Sequence, residues 1–237
     1  MQLRNQSILA QWGLLCVMGI YLAGCSGPRP TEAPAPPKSP FQTSSLPQGG
    51  ENELIRHGKL IFDQTPKYAS AYVGNRLACS DCHLQSGTAA YSAPMVGIAN
   101  IFPRFNKRAG HVISMQERFQ QCFTRSENGR PLPYDSEEMK ALTAYVVWLS
   151  RGGVKGTPYP GRGLVKVPDL TGNATKGKSI YAAQCATCHG TNGAGVPPVL
   201  PPVWGKDSYN NGAGMNNPKK MAAFLIRNMP QNHPGTL

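Results

Sequence analysis

Apolar positions fall into short stripes at helical spacing, separated by polar stretches rich in glycine and proline. Leu54, Gly58, Ile61 and Phe62 make one stripe, and Met139, Leu142, Val146 and Leu149 make another. Each recurs at the three- and four-residue steps that put side chains on one helix face. Asp135 and Glu138 form a capping pair ahead of the second stripe, and Gly152 supplies a stop. A helical stretch bearing Met115 and Phe119 runs into Cys122, and one bearing Met221 and Leu225 runs into Met229. Strand signals are weak. With 26 Gly and 22 Pro among 237 residues, the pattern predicts an all-α chain of short helices and long loops.

The N-terminus follows a different rule. Arg4 precedes an apolar run from Ile8 to Ile20, interrupted by Gln11, and "LAGC" follows at Leu22 to Cys25. The run is short for a bilayer-spanning helix of about 20 residues. It resembles the signal peptide and lipobox of bacterial lipoproteins, which implies that 1–24 is removed and that Cys25 carries lipid. An uncleaved membrane anchor is the alternative. Residues 25–50, proline-rich and nearly free of large apolar side chains, then form an extended tether.

Past the tether the chain repeats itself. "HGKLIF" (57–62) and "KGKSIY" (176–181) share a Gly, a Lys, an Ile and an aromatic in register, and each precedes a C-x-x-C-H motif. The first motif is Cys79, Cys82 and His83; the second is Cys185, Cys188 and His189. This spacing marks covalent attachment of haem c, two thioethers and an adjacent imidazole for the iron. A zinc site or redox dithiol would share C-x-x-C, but zinc calls for a second ligand pair that neither copy supplies. The expected fold is therefore two tandem class I cytochrome c-like domains, 51–152 and 171–237, joined by a Gly/Pro-rich linker at 153–170. The helix at 136–150 has no counterpart before Leu237, so the second domain is expected to lack its C-terminal helix and the chain to be a fragment.

The distal iron ligands are read from position. Met229 follows His189 behind a helical stretch, and a thioether opposite imidazole is a standard electron-transfer pair; Met215 is its rival. Counted from His83, Cys122 occupies the slot that Met229 holds in the second copy, to within one residue. Of seven cysteines, Cys16 leaves with the leader, Cys25 is lipidated and four hold haem, which leaves Cys122 without a disulfide partner. A thiolate ligand would lower the potential of the first haem below that of the second. An inert buried thiol is the alternative, with His57 and His111 as competing ligands that are expected to lie elsewhere.

"YVGNRLACSDCHLQSGT", "APMVGIANIFPRF" and "RFQQCFTRSENGRPLP", with "GAGM" and "RNMP" further on, resemble the dihaem thiosulfate dehydrogenases, or tetrathionate reductases, of the TsdA type. The likeness runs from about Glu53 to the C-terminus. It implies the reversible joining of two thiosulfates into tetrathionate at a His/Cys haem, with electrons leaving through a His/Met haem. It further implies that Cys122 is the catalytic cysteine and that Ser126 and Arg108 line the substrate site; Arg118 and Arg125 also match the motif. Some members place a lysine just before the methionine of the second haem. Here that residue is Asn228, so exchange of that ligand is not expected.

Charge fits an anionic substrate. The chain carries +12, and segment 101–130 holds Arg104, Lys107, Arg108, Arg118, Arg125 and Arg130 against Glu117 and Glu127. Two thiosulfate dianions repel unless positive charge surrounds them. A basic face docking an acidic partner is the other reading of the charge. The expected partners are thiosulfate or tetrathionate, a periplasmic or membrane redox protein, and a membrane through the lipid, but no nucleic acid. A non-catalytic periplasmic dihaem electron carrier is the competing function, and Cys122 discriminates between the two.

Overall fold

In the computed structural model the described residues are Leu46, 52–169 and 171–237. The expected leader, Cys25 and almost all of the tether lie outside them. Leu46, from the stretch read as tether, packs against the core of the first domain.

That core is built on one helix crossing. Helix α1 (Glu53–Asp63) packs across α5 (Glu137–Trp148). The α5 stripe is buried as expected: Met139, Leu142, Val146 and Leu149 are all inside, with Tyr145 and Trp148 beside them. On α1 the buried set is Ile55, Gly58, Ile61 and Phe62, whereas Leu54 is 43% exposed. The stripe starts one residue later than predicted, because Gly58 sets the phase. A Cβ built on Gly58 would lie 2.0 Å from the Ala141 carbonyl oxygen, so the backbones meet where only hydrogen fits. The α5 cap also differs: Ser136, not Asp135, accepts the Met139 N–H at 3.1 Å, since its hydroxyl stands at the N-cap position itself.

Short elements fill the space between these helices. Helix α2 (Thr65–Tyr68) follows α1, and a single turn, Cys79–Asp81, carries the first motif. The following turn, α3 (Leu84–Gly87), holds Gln85 and Ser86 at φ 54°, a left-handed conformation that L-residues disfavour. It is tied down by the Tyr145 hydroxyl donating to the Ser86 carbonyl at 2.7 Å and by Ser86 Oγ donating to Asp63 at 2.9 Å. A hairpin of β1 (Arg104–Asn106) and β2 (His111–Ile113) was not expected; its strands are too short for a periodic signal. Helix α4 (Met115–Arg125) is capped by Ser114, and buries Met115, Phe119 and Phe123.

In the second half, α6 (Ala174–Ile180) continues through one π-helical turn, Tyr181–Cys185, into α7 (Ala186–His189). Helix α8 (Pro218–Asn228) begins with the Asn217 cap and ends at Met229. Helix α6 is exposed along its whole length, and a Cβ on Gly177 would meet nothing within 4 Å. Both halves belong to one compact unit. Tyr91 and Ala93 donate to the linker carbonyls of Gly161 and Gly163, each at 2.7 Å, and Asn228 Nδ2 donates to Tyr91 O at 3.2 Å.

Candidate haem pockets and anion site

The first motif opens into a cavity with about 540 Å³ of empty space, part of it open to solvent. Cys79, Cys82 and His83 line it, and so do Cys122, Ser126 and Glu127 from the far end of α4. Phe62, Leu77, Met95, Phe119, Phe123 and Leu142 make the rest of its wall apolar. His83 Nδ1 donates to the Ala93 carbonyl at 2.6 Å; a carbonyl only accepts, so Nε2 is the nitrogen left for a metal. Burial, together with the charge of Arg118, pushes the His83 pKa down and keeps the ring neutral, as a ligand must be. None of the described cysteines is in a disulfide. Donor set, tautomer and apolar walls suit a haem plane.

The second motif repeats the same device. His189 Nδ1 donates to Pro201 O at 2.9 Å, and the Tyr181 hydroxyl donates to Gly190 O at 2.6 Å while its ring packs against Trp204 at 4.7 Å. Met229 at the end of α8 and Met215 in the turn Gly214–Asn216 are both half-buried. Asn228 spends its amide on the carbonyls of Tyr91 and Phe224. In the first motif, burial pushes the Asp81 carboxyl up to about 6.

Of the other candidates, Ser126 donates its N–H to the Cys122 carbonyl at 2.7 Å and accepts from Asn75 through its own. Arg108 and Arg118 are not among the residues lining the cavity. Both nonetheless act on Arg125, whose pKa burial and these two neighbouring cations push down. The three side chains therefore stand close enough to interact, with Arg118 and Arg125 on the same helix as Cys122, although none of them lines the cavity. Gln121, which sequence reasoning missed, holds two of them: Arg118 and Arg125 both donate to its Oε1 at 3.3 Å. The i, i+3 and i, i+4 steps from Arg118 and Gln121 were a usable signal. His57 stacks edge-on against Tyr68, and His111 is exposed and bonded to Glu117; neither lines the cavity.

Glu127 was also missed as a pocket residue. It is 2% exposed, its Oε2 has no hydrogen-bond partner, and burial with the nearby Asp81 pushes its pKa from 4.5 to about 8. Its Oε1 lies 3.8 Å from Cys79 Sγ, a thiol that haem attachment consumes. A carboxyl whose folded pKa is raised holds its proton where the unfolded chain has lost it. Stability therefore falls as pH rises from about 4.5 towards 8 and levels off above. Glu127→Gln is expected to flatten that decline in thermal unfolding of the holoprotein; an unchanged slope would count against the burial effect.

Comparisons with known proteins agree with this architecture. Residues 67–154 match the family described as "SoxA/TsdA, cytochrome c domain", and residues 172–237 match "Cytochrome C oxidase, cbb3-type, subunit III". The chain therefore comprises two cytochrome c domains, and it carries two covalently bound haem c groups. The thiosulfate dehydrogenase of Stutzerimonas stutzeri is 46% identical over 204 residues, 84% of this chain and 66% of that protein. Those of Allochromatium vinosum and Thiomonas intermedia are 37% and 35% identical, covering 78% and 91% of this chain and 72% and 75% of theirs. A solved structure, thiosulfate dehydrogenase (TsdBA) from Marichromatium purpuratum in its as-isolated form, superposes with a TM-score of 0.78 at 34% identity over 81% of this chain and 44% of that one. The chain belongs to the thiosulfate dehydrogenase family. It spans about two thirds of the length of the curated relatives that it matches.

Proposed function

We propose that this chain joins two thiosulfates into tetrathionate, or runs the reverse, in the cavity shared by His83 and Cys122, and passes electrons out through the second domain. The observation that carries this reading is the placement of Cys122 in the same apolar cavity as Cys79, Cys82 and His83, with Arg118 and Arg125 on the same helix and Arg108 acting on Arg125. His83 and Cys122 would hold the iron of the first haem, and His189 and Met229 that of the second. Each haem c, when bound, supplies a one-electron acceptor, so the pair matches a two-electron oxidation.

The rest falls to the chain's own groups. The Cys122 thiolate bonds to the sulfane sulfur of one thiosulfate, and two electrons leave. A second thiosulfate attacks that sulfane sulfur, breaking its bond to Cys122; tetrathionate departs and the thiolate is restored. Charge balances at both steps. Arg108, Arg118 and Arg125 offset the repulsion between two dianions, which the cavity's apolar wall would otherwise intensify. Ser126, on the turn after Cys122, offers a hydroxyl to a sulfonate oxygen. Export and lipid anchoring at Cys25 fit the "LAGC" motif and a periplasmic site of action. Among the described residues no helix is long and apolar enough to cross a membrane.

The test is thiosulfate-dependent reduction of ferricyanide by purified holoprotein. No such reduction would leave the electron-carrier reading. Arg108→Ala and Arg118→Ala are each expected to raise KM for thiosulfate about tenfold, since one charge-assisted hydrogen bond is worth about 1.5–3 kcal/mol. The effect should shrink at high ionic strength.

A further inference from the structure

We infer that the second domain helps to build the substrate site of the first, and that Asn210 is the positioning residue through which it does so; this rests on the reading of the Cys122 site given above. The last carbonyls of a helix have no partner within it. At the C-terminal end of α4, one turn past Cys122, two of those carbonyls are met from the other domain. Asn210 N donates to Arg125 O at 3.1 Å, and Asn210 Nδ2 donates to Thr124 O at 2.9 Å. The same Nδ2 reaches Asn128 Oδ1 at 3.0 Å.

The other side of the amide is equally committed. Asn210 Oδ1 accepts the Gly212 N–H at 2.8 Å, and the Gly212 carbonyl accepts from Arg108 at 2.6 Å. One hydrogen-bonded chain thus runs from the helix end beyond Cys122, through Asn210 and Gly212, to the guanidinium of Arg108. A second tie, from Arg76 N to Asp207 O at 3.0 Å, seats the same loop close to the first haem motif. Gly212 packs closely as well: a Cβ there would stand 3.1 Å from the Arg125 side chain.

Arg108 springs from the exposed β1–β2 hairpin loop, and a long cationic side chain there would otherwise sample many rotamers. Its tie to Gly212 fixes one anchor point for the guanidinium, whose remaining N–H groups are left for an anion. The helix end and the arginine then hold a constant separation, which a two-substrate condensation needs. The second domain is, on this view, a wall of the anion site as well as an exit for electrons.

Asn210→Ala tests this. In holoprotein assayed with thiosulfate and ferricyanide, KM should rise about tenfold with kcat changed less than about twofold, and both haem spectra should be unaltered. In an Arg108→Ala background the same substitution should change KM by less than about twofold, because Asn210 acts through Arg108. Amide hydrogen exchange supplies a readout independent of turnover. The Gly212 amide should lose at least about tenfold of its protection in Asn210→Ala, while amides of α1 and α5 keep theirs. An unchanged KM in a variant of active wild type, full additivity with Arg108→Ala, or unchanged Gly212 exchange would each overturn the inference. If wild type shows no thiosulfate-dependent reduction, the activity reading fails and the exchange result alone decides whether Asn210 organises the loop.

Discussion

Cys122→Met is expected to abolish thiosulfate-dependent ferricyanide reduction, by about 10³-fold or more, as loss of a covalent nucleophile does. Both haems should stay attached, because Cys79, Cys82, Cys185 and Cys188 are untouched. A methionine sulfur can still face the iron, but a thioether cannot form and release a bond to sulfane sulfur as a thiolate can. It also donates less electron density, so the potential of the first haem should rise. Steady-state assay, a count of two haems per chain and a redox titration check the three parts. Turnover within tenfold of wild type would remove Cys122 from the chemistry.

Gly58→Ala is expected to be severe for stability, and Gly177→Ala mild or favourable, although the two glycines hold the same place in the repeat. The new Cβ at 58 would sit 2.0 Å from the Ala141 carbonyl oxygen and 2.7 Å from Tyr145 Cβ. Neither is the movable end of a side chain, so α1 and α5 must part. Overpacking of a core costs about 1–3 kcal/mol and sometimes more, and forcing backbones apart belongs at the upper end. Against a total stability of about 5–15 kcal/mol, that is a large loss. At 177 the Cβ meets nothing, and alanine in place of glycine inside a helix gains up to about 1 kcal/mol. Urea unfolding of the two variants, followed by haem absorbance, measures the contrast; equal losses would contradict this packing.

Where a signal is local, the chain states it openly. The C-x-x-C-H motifs and the α5 stripe need only residues near in sequence. Where the structure differs, the cause is a contact or a backbone direction that no local pattern carries. Leu54 looked like a core residue because leucine is apolar, but the phase of α1 is set by the close crossing at Gly58, made with a helix far along the chain. Asp135 fits a capping pair with Glu138 three residues on, and only backbone direction selects Ser136. The hairpin at 104–113 is too short to show alternation.

Sequence alone determined the two haem attachment motifs and singled out Cys122 as a candidate ligand, because covalent attachment and ligand type depend on residue identity and spacing. Tertiary structure decided what surrounds that thiol. It brought Glu127 into the dark of the pocket, gathered three arginines that lie turns or loops apart, and set Asn210 against a helix in the other domain. Those placements depend on which backbones approach closely enough to exclude water. No stretch of chain encodes such an approach by itself: it comes from two segments at once.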